Sequence, residues 1–70
     1  MLITLKIRLE AFHKPTETWH VHEAQHGVRA VSRKHAISKG LKVLESWPGY
    51  ADRQDHPEWT VGGDVTIVND

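Results

Sequence analysis

The sequence contains no cysteine, so no disulfide can brace the fold and no thiolate zinc site can nucleate it. It carries no net charge, with Lys+Arg 9 against Asp+Glu 9. That balance excludes a histone-like polycation and an acidic nucleic-acid mimic alike. Its longest strongly apolar stretch falls far short of the ~20 residues that cross a membrane. The N-terminus lacks the continuous apolar block of a secretion signal. The expectation is a cytoplasmic chain with no membrane partner. Length is also scarce: 70 residues make one domain, 1–70, which buries only roughly 60% of its unfolded surface. Stability must come from one thin core, helped by self-association or a partner.

What is present is uneven. Residues 1–46 hold eight Lys/Arg against four Glu, a balance of +4. Residues 47–70 hold Arg53 against Asp52, Asp55, Glu58, Asp64 and Asp70, a balance of −4. A dipolar chain of this kind can present a basic face without a high isoelectric point.

Ile3, Leu5, Ile7, Leu9 and Ala11 alternate with Thr4, Lys6, Arg8 and Glu10, the period of a strand with one buried face. Phe12 breaks the phase, and His13–Glu17 with Pro15 reads as a hairpin loop. Thr18–Ala24 forms a second strand. With Trp19 and Val21 on the buried face, His20 and His22 fall on the outer face near Lys6 and Arg8. Gln25-His26-Gly27 signals a turn, and Val28–Val31 reads equally as a short extended piece or an approach to a helix. Ser32 caps a helix running to about Ser46. Its apolar stripe is Ile37, Leu41 and Leu44, with Ala36 and Gly40 flanking. A glycine inside a helix costs roughly 1 kcal/mol relative to alanine, so Gly40 implies close approach of the sheet. Trp47-Pro48-Gly49 ends the helix.

Tyr50–Pro57 is a loop without apolar pattern. Trp59, Val61, Val65 and Ile67 share one face if Gly62–Asp64 forms a three-residue hairpin; one long strand with a glycine bulge keeps the same phase. The expected fold is α+β, in the order β-β-α-β-β: a small antiparallel sheet of three to four strands on one helix. Its core is Ile3, Leu5, Ile7, Leu9, Trp19, Val21, Ile37, Leu41, Leu44, Trp59, Val61, Val65 and Ile67, and its other sheet face is open.

The six His raise the question of metal. His20-x-His22 on a strand places two imidazoles about 7 Å apart on one face, but a stable site needs a third ligand. Glu10 and His13 are candidates without diagnostic spacing, so two solvated or cross-strand-paired His are the simpler reading. Asp52, Asp55, His56 and Glu58 lack the glycine and oxygen spacing of a calcium loop and read as a solvated acidic segment. No Gly-x-Ser-x-Gly elbow, phosphate loop or dinucleotide fingerprint is present, so neither an enzyme nor a cofactor is expected.

Two kinds of binding remain. Lys34, Lys39 and Lys42 occupy the helix side away from Ile37 and Leu41, with His35 beside them and Arg29 and Arg33 at its start. Lys6 and Arg8 add charge on the open sheet face. This surface suits phosphates, although such residues also serve solubility alone, and no aromatic pair is expected on the open face to stack bases. Trp47 and Tyr50, flanking Pro48-Gly49, suit anchors in a protein interface or a lid over the core. The sheet edges invite a homodimer. On mild acidification toward about pH 5 the His would gain charge, strengthening binding to an acidic partner.

The series Trp19-His-Val-His-Glu-Ala24, then Ala30-Val-Ser-Arg-Lys-His-Ala-Ile-Ser-Lys-Gly40, then Trp59-Thr-Val61 resembles very small phage and mobile-element proteins, among them some anti-CRISPR proteins with a sheet backed by one helix. The resemblance lies in the pattern strand, strand, helix, strand. It implies a non-enzymatic inhibitor that docks on a host protein or nucleoprotein complex and blocks DNA access or a conformational step. On this reading Arg29, Arg33, Lys34, Lys39 and Lys42 steer the encounter and Trp47 and Tyr50 anchor it. The alternatives are a nucleic-acid-binding regulator using the basic helix face and a His-based metal module.

Overall fold

The structure, a computed structural model, describes residues 1–68. Strand β1 spans Leu2–His13 and β2 spans Thr18–Arg29. Helix α1 spans Arg33–Ser46, a short α2 spans Pro48–Ala51, and β3 spans Trp59–Ile67. The sheet has three strands in the order β2-β1-β3, with antiparallel neighbours. The class is therefore α+β, with the element order β-β-α-α-β in place of the expected β-β-α-β-β: Tyr50 and Ala51 lie in α2 rather than in a loop, and Trp59–Ile67 is a single strand.

The N-terminal alternation builds the core. Leu5, Ile7 and Ala11 are fully buried, and Ile3 and Leu9 nearly so. Opposite them α1 presents Ala36, Gly40 and Leu44, one residue per turn. Small residues in the first two positions bring the helix down onto the sheet. A Cβ at Gly40 would stand 2.6 Å from Val65 Cγ1 and 2.9 Å from Leu5 Cδ1. Gly40→Val should therefore destabilise the fold by about 2–3 kcal/mol through overpacking, read as a lowered urea midpoint.

The expected stripe shifts accordingly. Leu41 is 41% exposed, because the helix rolls to set its glycine, not its leucine, against Val65 and Leu5. Ser32 is the N-cap: its Oγ accepts from His35 N at 3.1 Å, while His35 Nδ1 accepts from Val31 N at 3.1 Å. The paired bonds satisfy helix-start amides much as a capping box does.

Three further sequence expectations are corrected. The Gly62–Asp64 hairpin does not form, since β3 passes straight through with Gly62, Gly63 and Asp64 opposite Glu10, Leu9 and Arg8. Gly63 allows this passage, because a Cβ there would collide with the Arg8 carbonyl and press on Leu44 Cδ2 at 3.0 Å. Gln25-His26-Gly27 is not a turn; these residues pair with Lys6, Leu5 and Thr4 inside β2. The ladder with the long, regular β1 outweighs the local turn signal.

The third correction concerns phase. The β1–β2 hairpin turns through Lys14–Glu17, with Glu17 at φ 53 and its N–H donating to Lys14 O at 3.3 Å. An even-numbered loop pairs odd residues of β1 with even residues of β2, as in Leu9↔His22 and Ile7↔Ala24. Trp19 and Val21 are therefore outside the core, and His20 and His22 lie on the helix side.

The molecule is elongated, at 44 × 18 × 15 Å with a radius of gyration of 13.4 Å. A compact chain of this length has about 11 Å.

Candidate functional site

The face of the sheet turned away from α1 has no second layer among the described residues. On β1 it carries Thr4, Lys6, Arg8, Glu10 and Phe12. Their partners are Gly27, Gln25, Glu23, Val21 and Trp19 on β2. On β3, Thr66, Asp64, Gly62 and Thr60 pair with Lys6 through Phe12. Trp19 is 62% exposed and Val21 50%, and the Trp19 ring lies tilted on Phe12 with centroids 4.9 Å apart. A large apolar group held in the open beside an aromatic neighbour is the informative exception to burial.

Next to this apolar end stands a charged network. Arg8 Nε donates to Glu10 Oε1 at 2.7 Å and Arg8 Nη1 to Glu23 Oε1 at 3.1 Å. Lys6 Nζ lies 3.9 Å from Glu23 Oε1. The hydrogen bond to Glu10, then that to Glu23, raises the Arg8 guanidinium above its ordinary value. Lys6 and Arg8 thus stand among Glu10, Glu23 and Asp64, and carboxylates outnumber cations here. The carboxylates offset the attraction of Lys6 and Arg8 for phosphates, while Phe12 and Trp19 form an aromatic pair on this face, contrary to the expectation from the sequence.

The helix side of β2 gathers imidazoles against tryptophans. His20 meets Trp59 edge-on at 5.2 Å, and His13 lies 4.5 Å from the same ring. Arg53 Cζ stands 4.2 Å above that ring as a cation–π partner. His22 meets Trp47 edge-on at 4.8 Å, with His26 at 6.4 Å. The two candidate metal ligands, His20 and His22, therefore face different tryptophans. Among the described residues no group of three or more ligating side chains converges.

Trp47 and Tyr50 are half-buried and pack against the core, closing its end from α2. Gly49 sits between them, where a Cβ would stand 2.9 Å from Leu9 Cδ2. The basic residues divide. Arg29, Arg33, Lys34 and Lys42 are exposed, whereas Lys39 is half-buried and its Nζ donates to the Arg29 carbonyl. Arg29, Arg33 and Lys34 surround the start of α1, whose first turn holds no acidic residue. The helix dipole adds positive potential at that corner.

Sequence reasoning missed Phe12, Trp19 and Val21 as surface residues. The signal was the loop length, which sets the phase of β2 independently of its hydrophobicity. Among the described residues no helix is long and apolar enough to cross a membrane. Comparison with protein-family models, with curated proteins and with solved structures returns no match.

Proposed function

We propose that the protein is a non-enzymatic binding module that docks through its open sheet face on a larger host protein or nucleoprotein complex, as a phage or mobile-element inhibitor of the anti-CRISPR kind would. One observation carries this reading: Trp19, tilted against Phe12 and beside Val21, is held exposed on a sheet face with no second layer among the described residues. Tryptophan is the residue type most enriched at binding hot spots. The neighbouring Arg8–Glu10–Glu23 network suits the polar rim of such a patch, where it orients a partner more than it adds affinity. Trp47 and Tyr50 serve this surface indirectly, by covering the core from the helix side.

A second reading rests on the electropositive corner at the start of α1. There Arg29, Arg33 and Lys34, with Lys42 further along, would engage phosphates. The two readings separate in a tagged pull-down from bacterial lysate, run with and without nuclease. A partner that survives nuclease and is lost with Trp19→Ala supports the sheet-face reading. Recovery of nucleic acid alone, lost on digestion and on Lys34→Glu with Lys42→Glu, supports the second.

A further inference from the structure

We infer that β2 is a self-association edge: two copies pair antiparallel through it about a two-fold axis at Ala24, giving a continuous six-stranded sheet. The inference does not depend on the sheet-face reading.

The backbone supplies the first argument. Ala30 N donates to Met1 O at 3.0 Å and the Met1 ammonium donates to Ala30 O at 3.0 Å. Met1 and Ala30 are therefore a hydrogen-bonded pair, and the alternation of an antiparallel ladder turns the even residues of β2 toward β1. The amides and carbonyls of Trp19, Val21, Glu23, Gln25 and Gly27 point outward, where β2 has no strand neighbour among the described residues. The Arg29 carbonyl, which takes Lys39 Nζ, marks the end of this free row. The strand is 12 residues long and contains no proline, lysine or bulge, the usual guards of an exposed edge.

Side chains then select the partner and the register. A two-fold axis perpendicular to the sheet keeps both helices on one side, and only two such registers use the full strand. Centring on Glu23 sets Glu23 against its own copy, which like charge opposes. Centring on Ala24 sets Glu23 against Gln25, Val21 against Gly27, and Trp19 against Arg29 of the second copy. These contacts are complementary: a carboxylate meets an amide donor, and a guanidinium meets an indole face. On the helix side His22 meets His26 of the second copy. His20 and His22 keep exposed surface on this side, although each ring also packs on a tryptophan, His20 on Trp59 and His22 on Trp47. The other edge, β3, has Gly62-Gly63 at its middle, which weakens a strand.

The test starts with the solution mass of the intact protein, by light scattering over a roughly hundredfold concentration range. The expectation is about 16 kDa at the upper end, twice the 8.0 kDa chain. A mass that stays at one chain throughout overturns the proposal. Register is read from single cysteines in this cysteine-free sequence. Ala24→Cys should cross-link to itself under mild oxidant, since the Cα atoms of a non-hydrogen-bonded pair lie about 4.5 Å apart. A dimer in which Glu23→Cys cross-links and Ala24→Cys does not would overturn the register, and one that neither position cross-links would overturn the use of β2.

Charge gives a further check with opposite signs. In a single chain Gln25 stands beside Lys6, so Gln25→Glu should favour the monomer fold slightly and Gln25→Lys disfavour it. Across the pairing Gln25 stands beside Glu23 of the second copy, twice by symmetry. Gln25→Glu should therefore weaken dimerisation about fivefold, and Gln25→Lys should strengthen it about fivefold. Equal or reversed effects would overturn the assignment.

Discussion

Ile7→Ala is expected to lower the melting temperature by about 10–20 °C or more, measured by circular dichroism at one fixed protein concentration. Ile7 is wholly buried at the centre of the middle strand, paired with Ala24 on one side and Val65 on the other. Truncating such a side chain costs about 2–5 kcal/mol, because the transfer energy of the lost carbons adds to the cost of the cavity. A chain of this length has about 3.5–10 kcal/mol in total, so one substitution removes a large share of it. The core offers little compensation, since the helix contributes Ala36 and Gly40 where a thicker core would hold larger residues. Leu41→Ala is the matched control. Leu41 is 41% exposed, and its loss should shift the melt by no more than a few degrees, under about 1 kcal/mol. A larger effect from Leu41 than from Ile7 would mean that the helix packs with the face read from its leucines alone.

The second large effect is on binding. Trp19→Ala should weaken capture of the docking partner about 30-fold or more, the loss typical of an interface hot spot, while costing the fold only about 1 kcal/mol. The small folding cost follows from Trp19 being 62% exposed and from the modest value of its stack on Phe12. Trp47→Ala should show the opposite profile, with a clear loss of stability because Trp47 packs on the core and carries His22 against its edge. Titration calorimetry against the isolated partner, paired with a thermal melt of each variant, separates the two. Retained affinity in a folded Trp19→Ala protein would remove the open face as the docking surface. A steep salt dependence with no effect of Trp19 would direct attention to Arg29, Arg33, Lys34 and Lys42.

Where one interaction dominates, the fold is legible from the chain. The period-two run from Ile3 to Ala11 identifies both the strand and its buried face, Ser32 marks the helix start, and Gly40 announces the close approach to Val65. The path of β3 is less so. Gly62-Gly63 looks like a turn locally, and only the register against Glu10 and Leu9 shows that it is a passage beneath Leu44. The phase of β2 was hidden for a different reason. Its hydrophobic residues, Trp19 and Val21, ask for the core, while the loop and the ladder turn His20, His22 and Ala24 to the helix side instead. Geometry propagated from the well-formed β1 prevails over the preference of two side chains. The surface that results is the candidate site. The same inversion of phase sets His20 and His22 against different tryptophans, Trp59 and Trp47.

The Lys14–Glu17 loop thereby acquires an unusual genetic constraint. Surface loops ordinarily absorb single insertions and deletions without consequence. Here a change of one residue would exchange the two faces of everything downstream in β2, sending Trp19 and Val21 inward and the histidines outward. A change of two residues would leave the faces as they are. Substitutions along the loop should be tolerated wherever they suit the left-handed backbone at Glu17, whereas its length should vary only in even steps. The count of residues in four exposed positions is, in this chain, the information that separates a sticky surface from a buried one.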